Sequence, residues 1–205
     1  MKHFLNGCLA GIAISIGGTV FLMSDSKLAG ALLFSVGLFA VCVFGFSLFT
    51  GKVCYAFDND AKYALSLPVI WLGNLVGALV MGFIQMPTRL YPTLLEKAKT
   101  VCEGKLSQGL LSAFLLAVLC DVMIYIAVEG YKAIPHEAGK YLAILFGVTV
   151  FVLCGFEHCV ANMYYFTVGK AWSAKAALYI LVMTLGNALG GVSIPLLRKA
   201  AARFN

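Results

Sequence analysis

The run Leu153-Cys154-Gly155-Phe156-Glu157-His158-Cys159-Val160-Ala161-Asn162-Met163-Tyr164 lies inside a long apolar segment, yet it carries a glutamate, a histidine and an asparagine close together. Ionisable groups in a membrane-spanning stretch are costly, about 2.5–3.5 kcal/mol each on insertion scales. They persist mainly where they line a polar cavity or pair with one another. The run therefore predicts a broken transmembrane helix that lines a permeation path, with His158 near its centre.

Composition supplies the solvent for the rest of the chain. The 205 residues are 61% hydrophobic and 12% charged, with a mean hydropathy of +0.94. A soluble domain is about 25% charged, so lipid must cover much of this surface. The apolar runs are continuous rather than alternating, which argues for helices and against a β-barrel. The net charge of +6 is scattered and offers no basic stripe to nucleic acid. Seven cysteines show no CxxC spacing and mostly lie in apolar runs, where they pack as small hydrophobes. No metal or cofactor site is expected. The first apolar run is long enough to span and lacks a clear small-residue cleavage site, so no cleavable leader is expected.

A span needs about 20 mostly apolar residues. Six candidates follow: 4–23, 28 to about 50, 64–85, 106–128, about 142–166 and 176–197. Polar loops are expected at 58–62, 87–105 and 129–141. Six spans place both termini on one side. Lys and Arg are nearly balanced between the two sides, and the basic tail (Arg198, Lys199, Arg203) favours cytoplasmic termini.

An internal repeat sharpens this picture. Leu72-Gly73-Asn74 with Gly77 matches Leu185-Gly186-Asn187 with Gly190, and Leu33-Phe34, Val36 and Cys42 match Leu145-Phe146, Val148 and Cys154. Two halves, approximately 1–86 and 106–197, would flank the polar loop 87–105 within one channel domain, 1–205. Three spans per half give the copies opposite topology, and inverted repeats place a site at the bilayer midplane on discontinuous helices. Span two is interrupted at Gly45–Lys52 and span five at Gly155–His158. The expected architecture is an all-α membrane protein of six spans, with its second and fifth helices broken. Asn74 and Asn187 are expected to cap or bridge the interrupted backbone.

At these residues the chain resembles the formate/nitrite transporter family. Gly37-Leu38 with Gly45 and Leu48-Phe49-Thr50-Gly51 resembles the second-helix signature of that family. Gly155-Phe156-Glu157-His158 with Ala161-Asn162-Met163-Tyr164 resembles the fifth. Within the family the chain is similar first to the hydrosulfide channel subgroup. The resemblance implies an aquaporin-like six-helix protomer with one pore, assembled as a homopentamer in the cell (inner) membrane. It implies a pore centre at His158 and Thr50, with apolar constrictions at Phe34, Leu38, Phe49, Ile124 and Phe151. Glu157 would support the pore wall, with Asn162 and Lys105 as partners and Asn187 beside them. Asp121 departs from the uncharged polar residue expected there.

The implied function is a channel, not an enzyme, for small monovalent anions of weak acids: hydrosulfide first, with formate or nitrite also permeant. Lysines near the mouths (Lys105, Lys52, Lys170) would raise the local anion concentration. A formate- or nitrite-specific channel, a proton-coupled transporter and an aquaporin-like neutral-solute channel are the alternatives, although the Asn-Pro-Ala pairs of the last are missing. A membrane redox enzyme lacks a second buried histidine, since His3 and His136 fall outside the spans.

Overall fold

A computed structural model describes residues 1–204. Among them the chain forms ten α-helices and no strand. Helix is the expected solution where water is absent, because each backbone N–H must find its acceptor within the same segment. α1 is Lys2–Met23, and α2 is Lys27–Phe34, capped where the Ser26 hydroxyl accepts from the Ala29 N–H at 3.2 Å. α3 (Val36–Phe44) continues it past Ser35, and the very short α4 is Phe49–Val53. α5 (Ala61–Gln85) starts at Asp60, whose carboxylate accepts from the Tyr63 N–H at 2.9 Å. α6 is Tyr91–Ser107, α7 Leu110–Ala133, α8 Glu137–Leu153, α9 Cys159–Val168 and α10 Ala174–Ala201.

Among the described residues, five stretches are long and apolar enough to cross a bilayer: Lys2–Met23, Lys27–Phe44, Ala61–Gln85, Leu110–Ala133 and Ala174–Ala201. The remaining expected span, 142–166, is divided between α8 and α9, and neither half is long enough alone. Every residue of α9 is buried, so protein rather than lipid surrounds this half-helix.

Two expected loops are corrected. The segment 87–105 is largely the helix α6. Pro92 sits in its first turn, where no intrahelical donor is lost, and Leu94, Ala98 and Cys102 form a buried stripe against α9. The charges that made the segment read as a loop occupy the other faces. The segment 129–141 shrinks likewise, because α7 runs to Ala133 and α8 begins at Glu137.

The two breaks are built alike. Gly45 (φ +69°) and Gly155 (φ +70°) end α3 and α8 in the left-handed conformation that favours glycine. The next N–H reaches back five residues in both, from Phe46 to the Val41 carbonyl (3.0 Å) and from Phe156 to the Phe151 carbonyl (2.9 Å). The following N–H leaves the segment: Ser47 donates to the Asn6 carbonyl at 3.1 Å, Glu157 to the Leu116 carbonyl at 3.2 Å. One asparagine then holds each break. Asn74 accepts from the Phe49 N–H (2.8 Å) and donates to the Gly7 and Ser47 carbonyls (2.9 Å each). Asn187 accepts from the Cys159 N–H and donates to the Ala117 and Glu157 carbonyls, all at 2.9 Å. Equivalent break residues lie 110 positions apart, two fewer than the 112 suggested by Cys42 and Cys154.

Close backbone approach fixes the helix pairs. A Cβ on Gly77 of α5 would lie 2.1 Å from the Cys8 carbonyl oxygen of α1, and one on Gly190 of α10 would lie 2.1 Å from that of Val118 in α7. The glycine faces thus pack inside the chain. Large apolar side chains such as Leu65, Leu111, Phe146 and Leu185 face outward, while Asn74, Glu157, His158 and Asn187 are buried.

Two ends can be defined from ion pairs. At the α6 end, Lys97 meets Asp25 at 2.9 Å, and the hydrogen bond from Lys97 holds the Asp25 carboxyl below its usual pKa. At the α4 end, Arg198 meets Glu129 at 3.2 Å and Lys199 meets Asp58.

Gly77→Ala and Gly190→Ala should each destabilise the protein by about 1–3 kcal/mol, as overpacking does. Gly104→Ala on α6, where an added Cβ meets nothing within 4 Å, should not. Thermal unfolding in detergent measures this, and equal midpoints for all three variants would contradict the packing. Asn187→Ala strands the buried Cys159 N–H and Glu157 carbonyl, each orphan costing about 1–3 kcal/mol. Its midpoint should fall well below that of wild type, and an unchanged midpoint would show that the break does not depend on Asn187.

Candidate functional site

The side chains that meet at the two breaks come from sequence positions far apart. His158 precedes α9 and caps it through its ring, with Nδ1 accepting from the Ala161 N–H at 3.1 Å. With Nδ1 an acceptor, the neutral imidazole carries its proton on Nε2. Nε2 lies 3.0 Å from Oγ1 of Thr50, the second residue of α4. The Thr50 oxygen accepts that proton, which leaves its own hydroxyl hydrogen free to be donated elsewhere. The Phe151 ring stacks on the imidazole at 5.8 Å and 17°, and Phe34 meets Phe151 edge-on at 5.9 Å. These rings fix the plane of His158.

A cavity lies on each side of this contact. The first, about 420 Å³, reaches from Lys27 and Thr100 at the α6 end to Phe34, Phe151 and His158. The second, about 160 Å³, lies at the α4 end and is lined by Leu38, Val41, Leu48, Lys52, Val128 and Lys132, among others. His158 and Leu48 are equivalent cap positions of the two breaks, and each lines the cavity on its own side. The backbone repeats at the breaks and the side-chain chemistry does not.

Glu157 lines the first cavity and is held there by three donors. Its carboxylate accepts from Lys105 at 2.6 Å, Gln108 at 2.7 Å and Asn162 at 2.7 Å. All the contacting residues are mostly or fully withdrawn from solvent, so removing one partner would leave a charge uncompensated. The amide oxygen of Asn162 has no hydrogen-bond partner among the described residues.

The remaining positions separate. Phe34 and Phe151 line the first cavity and Leu38 the second, whereas Phe49 and Ile124 are buried and line neither. Asn187 holds backbone and does not reach a cavity. Lys170 lies over the Tyr91 ring, 5.6 Å from its centroid, and lines neither cavity, so it is not one of the mouth lysines. Asp121 is fully buried with neither oxygen hydrogen-bonded among the described residues, and it too lines neither cavity. Lys27, Gln108 and Lys132 were not singled out from sequence. Lys27 read as part of a short turn and Lys132 as part of the polar loop 129–141, and the signal for Gln108 is a polar side chain at the start of an apolar run.

A family model for the formate/nitrite transporters matches residues 1–199. A probable formate transporter of Methanothermobacter thermautotrophicus is 33% identical over 194 residues, covering 80% of this chain and 71% of the relative. The nitrite transporter NirC of Escherichia coli is 26% identical over 216 residues, covering 93% and 80%. Among solved structures, a pentameric formate channel with formate bound superposes with a TM-score of 0.82 at 25% identity, covering 100% of this chain and 97% of the other. This helical membrane protein therefore belongs to the formate/nitrite transporter family, whose members are channels or transporters and not enzymes.

Proposed function

We propose that this protein is a channel for small monovalent anions of weak acids, with the path running through the Thr50–His158 contact. The observation that carries the reading is the placement of this one polar pair between two cavities closed by apolar side chains. Formate and nitrite are the permeants that the relatives' names suggest. Hydrosulfide is added from the sequence resemblance to its subgroup. The working assembly is a homopentamer in the cell inner membrane, supported by the pentameric formate channel of like fold. Each protomer would be two inverted three-helix halves, with its termini and the α4 end cytoplasmic.

The mechanism follows from dielectric cost. Moving a bare anion into an apolar medium costs on the order of 20 kcal/mol in the idealised limit and several in practice. The rings of Phe34 and Phe151 and the side chains of Leu38 and Leu48 therefore exclude strongly hydrated and multiply charged ions. At the centre, the Nε2 proton of His158 and the Thr50 hydroxyl supply donors to a partly desolvated anion, and charge-assisted bonds are about twice as strong as neutral ones. A weak acid can also cross as its neutral form, taking a proton from water in one cavity and returning it to water in the other. Lys27 and Lys105 at one cavity and Lys52 at the other draw anions in. Glu157 and Asn187 keep the broken helix in shape.

Reconstituted protein should pass formate, nitrite and hydrosulfide and exclude sulfate and phosphate. Fluxes equal to protein-free liposomes for all three monovalent anions would refute the channel reading, and osmotic swelling in neutral solutes instead would favour a neutral-solute pore. His158→Asn retains a good helix cap but cannot titrate. It should alter the pH dependence of formate flux, measured at several pH values. An unaltered pH profile would remove His158 from any proton step.

A further inference from the structure

The second cavity carries a charge pattern that the first lacks. Lys52 of α4 and Lys132 of α7 line it, and no carboxylate does. Neither ammonium makes an ion pair among the described residues. The first cavity does hold a carboxylate, Glu157, which meets Lys105 at 2.6 Å and leaves Lys27 as its single unpaired lysine among the described residues.

Glu129, one turn earlier on α7, is engaged with other donors. One of its oxygens accepts from Arg198 at 3.2 Å, the other from the Tyr55 hydroxyl at 2.8 Å. The Lys132 ammonium instead rests 3.6 Å above the centroid of the Tyr55 ring. A ring face holds a cation without neutralising it. The chain Arg198, Glu129, Tyr55, Lys132 therefore positions a full positive charge beside the cavity. Lys52 is fixed on the other wall by its backbone carbonyl, which accepts from the Tyr63 hydroxyl at 2.7 Å.

We propose that Lys52 and Lys132 form a binding site for one small monovalent anion in the second cavity, distinct from the Thr50–His158 contact. This rests on the anion-channel reading and extends it. The cavity of about 160 Å³ has room for an anion of a few atoms with some of its water, each water taking about 30 Å³. Leu38 and Leu48 bound the cavity, so an anion moving inward from this site loses hydration. Two ammonium donors offset part of that loss before the centre is reached. The site gives the α4 end a saturable step that diffuse attraction alone would not produce.

The test is formate influx against formate concentration in vesicles of phosphatidylcholine alone. Variants are first matched to wild type for oligomer size and thermal midpoint. Lys52→Gln and Lys132→Gln should each raise the half-saturating concentration about tenfold, the factor that about 1.4 kcal/mol represents. Lys132→Arg, which keeps the charge over Tyr55, should stay near wild type. A Lys52→Gln/Lys132→Gln double variant that saturates within about twofold of wild type (under about 0.4 kcal/mol) overturns the site while leaving the channel reading intact. A shift seen solely in vesicles containing phosphatidylglycerol assigns the lysines to a lipid headgroup and also overturns it. Wild-type protein that passes no formate, nitrite or hydrosulfide overturns the channel reading and this site together.

Discussion

Backbone that leaves the helix inside an apolar interior must find new partners for its N–H and C=O groups, and everything in this protein is arranged around doing so twice. An unpaired buried peptide group costs as much as a lost hydrogen bond, and water is not there to compensate. The chain solves the problem with a left-handed glycine and one asparagine at each break. Asn74 ties α5 and α1 to one broken segment, and Asn187 ties α10 and α7 to the other. To be that close, α5 must press on α1 and α10 on α7, which is why glycine stands where those helices cross. The small residues, the asparagines and the two breaks form one structural unit.

The chemistry of the site depends on the breaks being alike in backbone and unlike in side chain. At equivalent cap positions one break carries Leu48 and the other His158. The imidazole uses one nitrogen as a cap and turns the other to Thr50. Capping thus sets which nitrogen bears the proton and what the centre can offer an anion. Protonating Nδ1 would sacrifice the cap, so the charge state of His158 and the integrity of the α9 N-terminus are linked.

Much of the fold was legible in the sequence. Long apolar runs marked the spans. Gly45 and Gly155 marked the breaks, and the paired Leu-Gly-Asn motifs pointed to Asn74 and Asn187. The reading failed where a local rule was masked. In α6, three apolar residues at four-residue spacing decide the helix, but five charged neighbours hide them. The offset between the breaks was misjudged because Cys42 and Cys154 match in type while the backbone pairs Val41 with Phe151. The neighbourhood of the candidate site was legible from Glu157 and His158 in an apolar run. Its partition into two cavities was not, because that depends on which side of the breaks each side chain falls. Lys170 and Lys132 look equivalent as loop lysines. Only tertiary contacts put one over Tyr91 and the other beside a cavity.

The central claim is that an anion passes where the two broken segments meet, and an experimental structure of the protein saturated with formate tests it most directly. The account predicts density for the carboxylate within hydrogen-bond distance of both His158 Nε2 and Thr50 Oγ1, with their direct contact opened to admit it. An intact Thr50–His158 bond, with formate bound only at surfaces outside the two cavities, would contradict it.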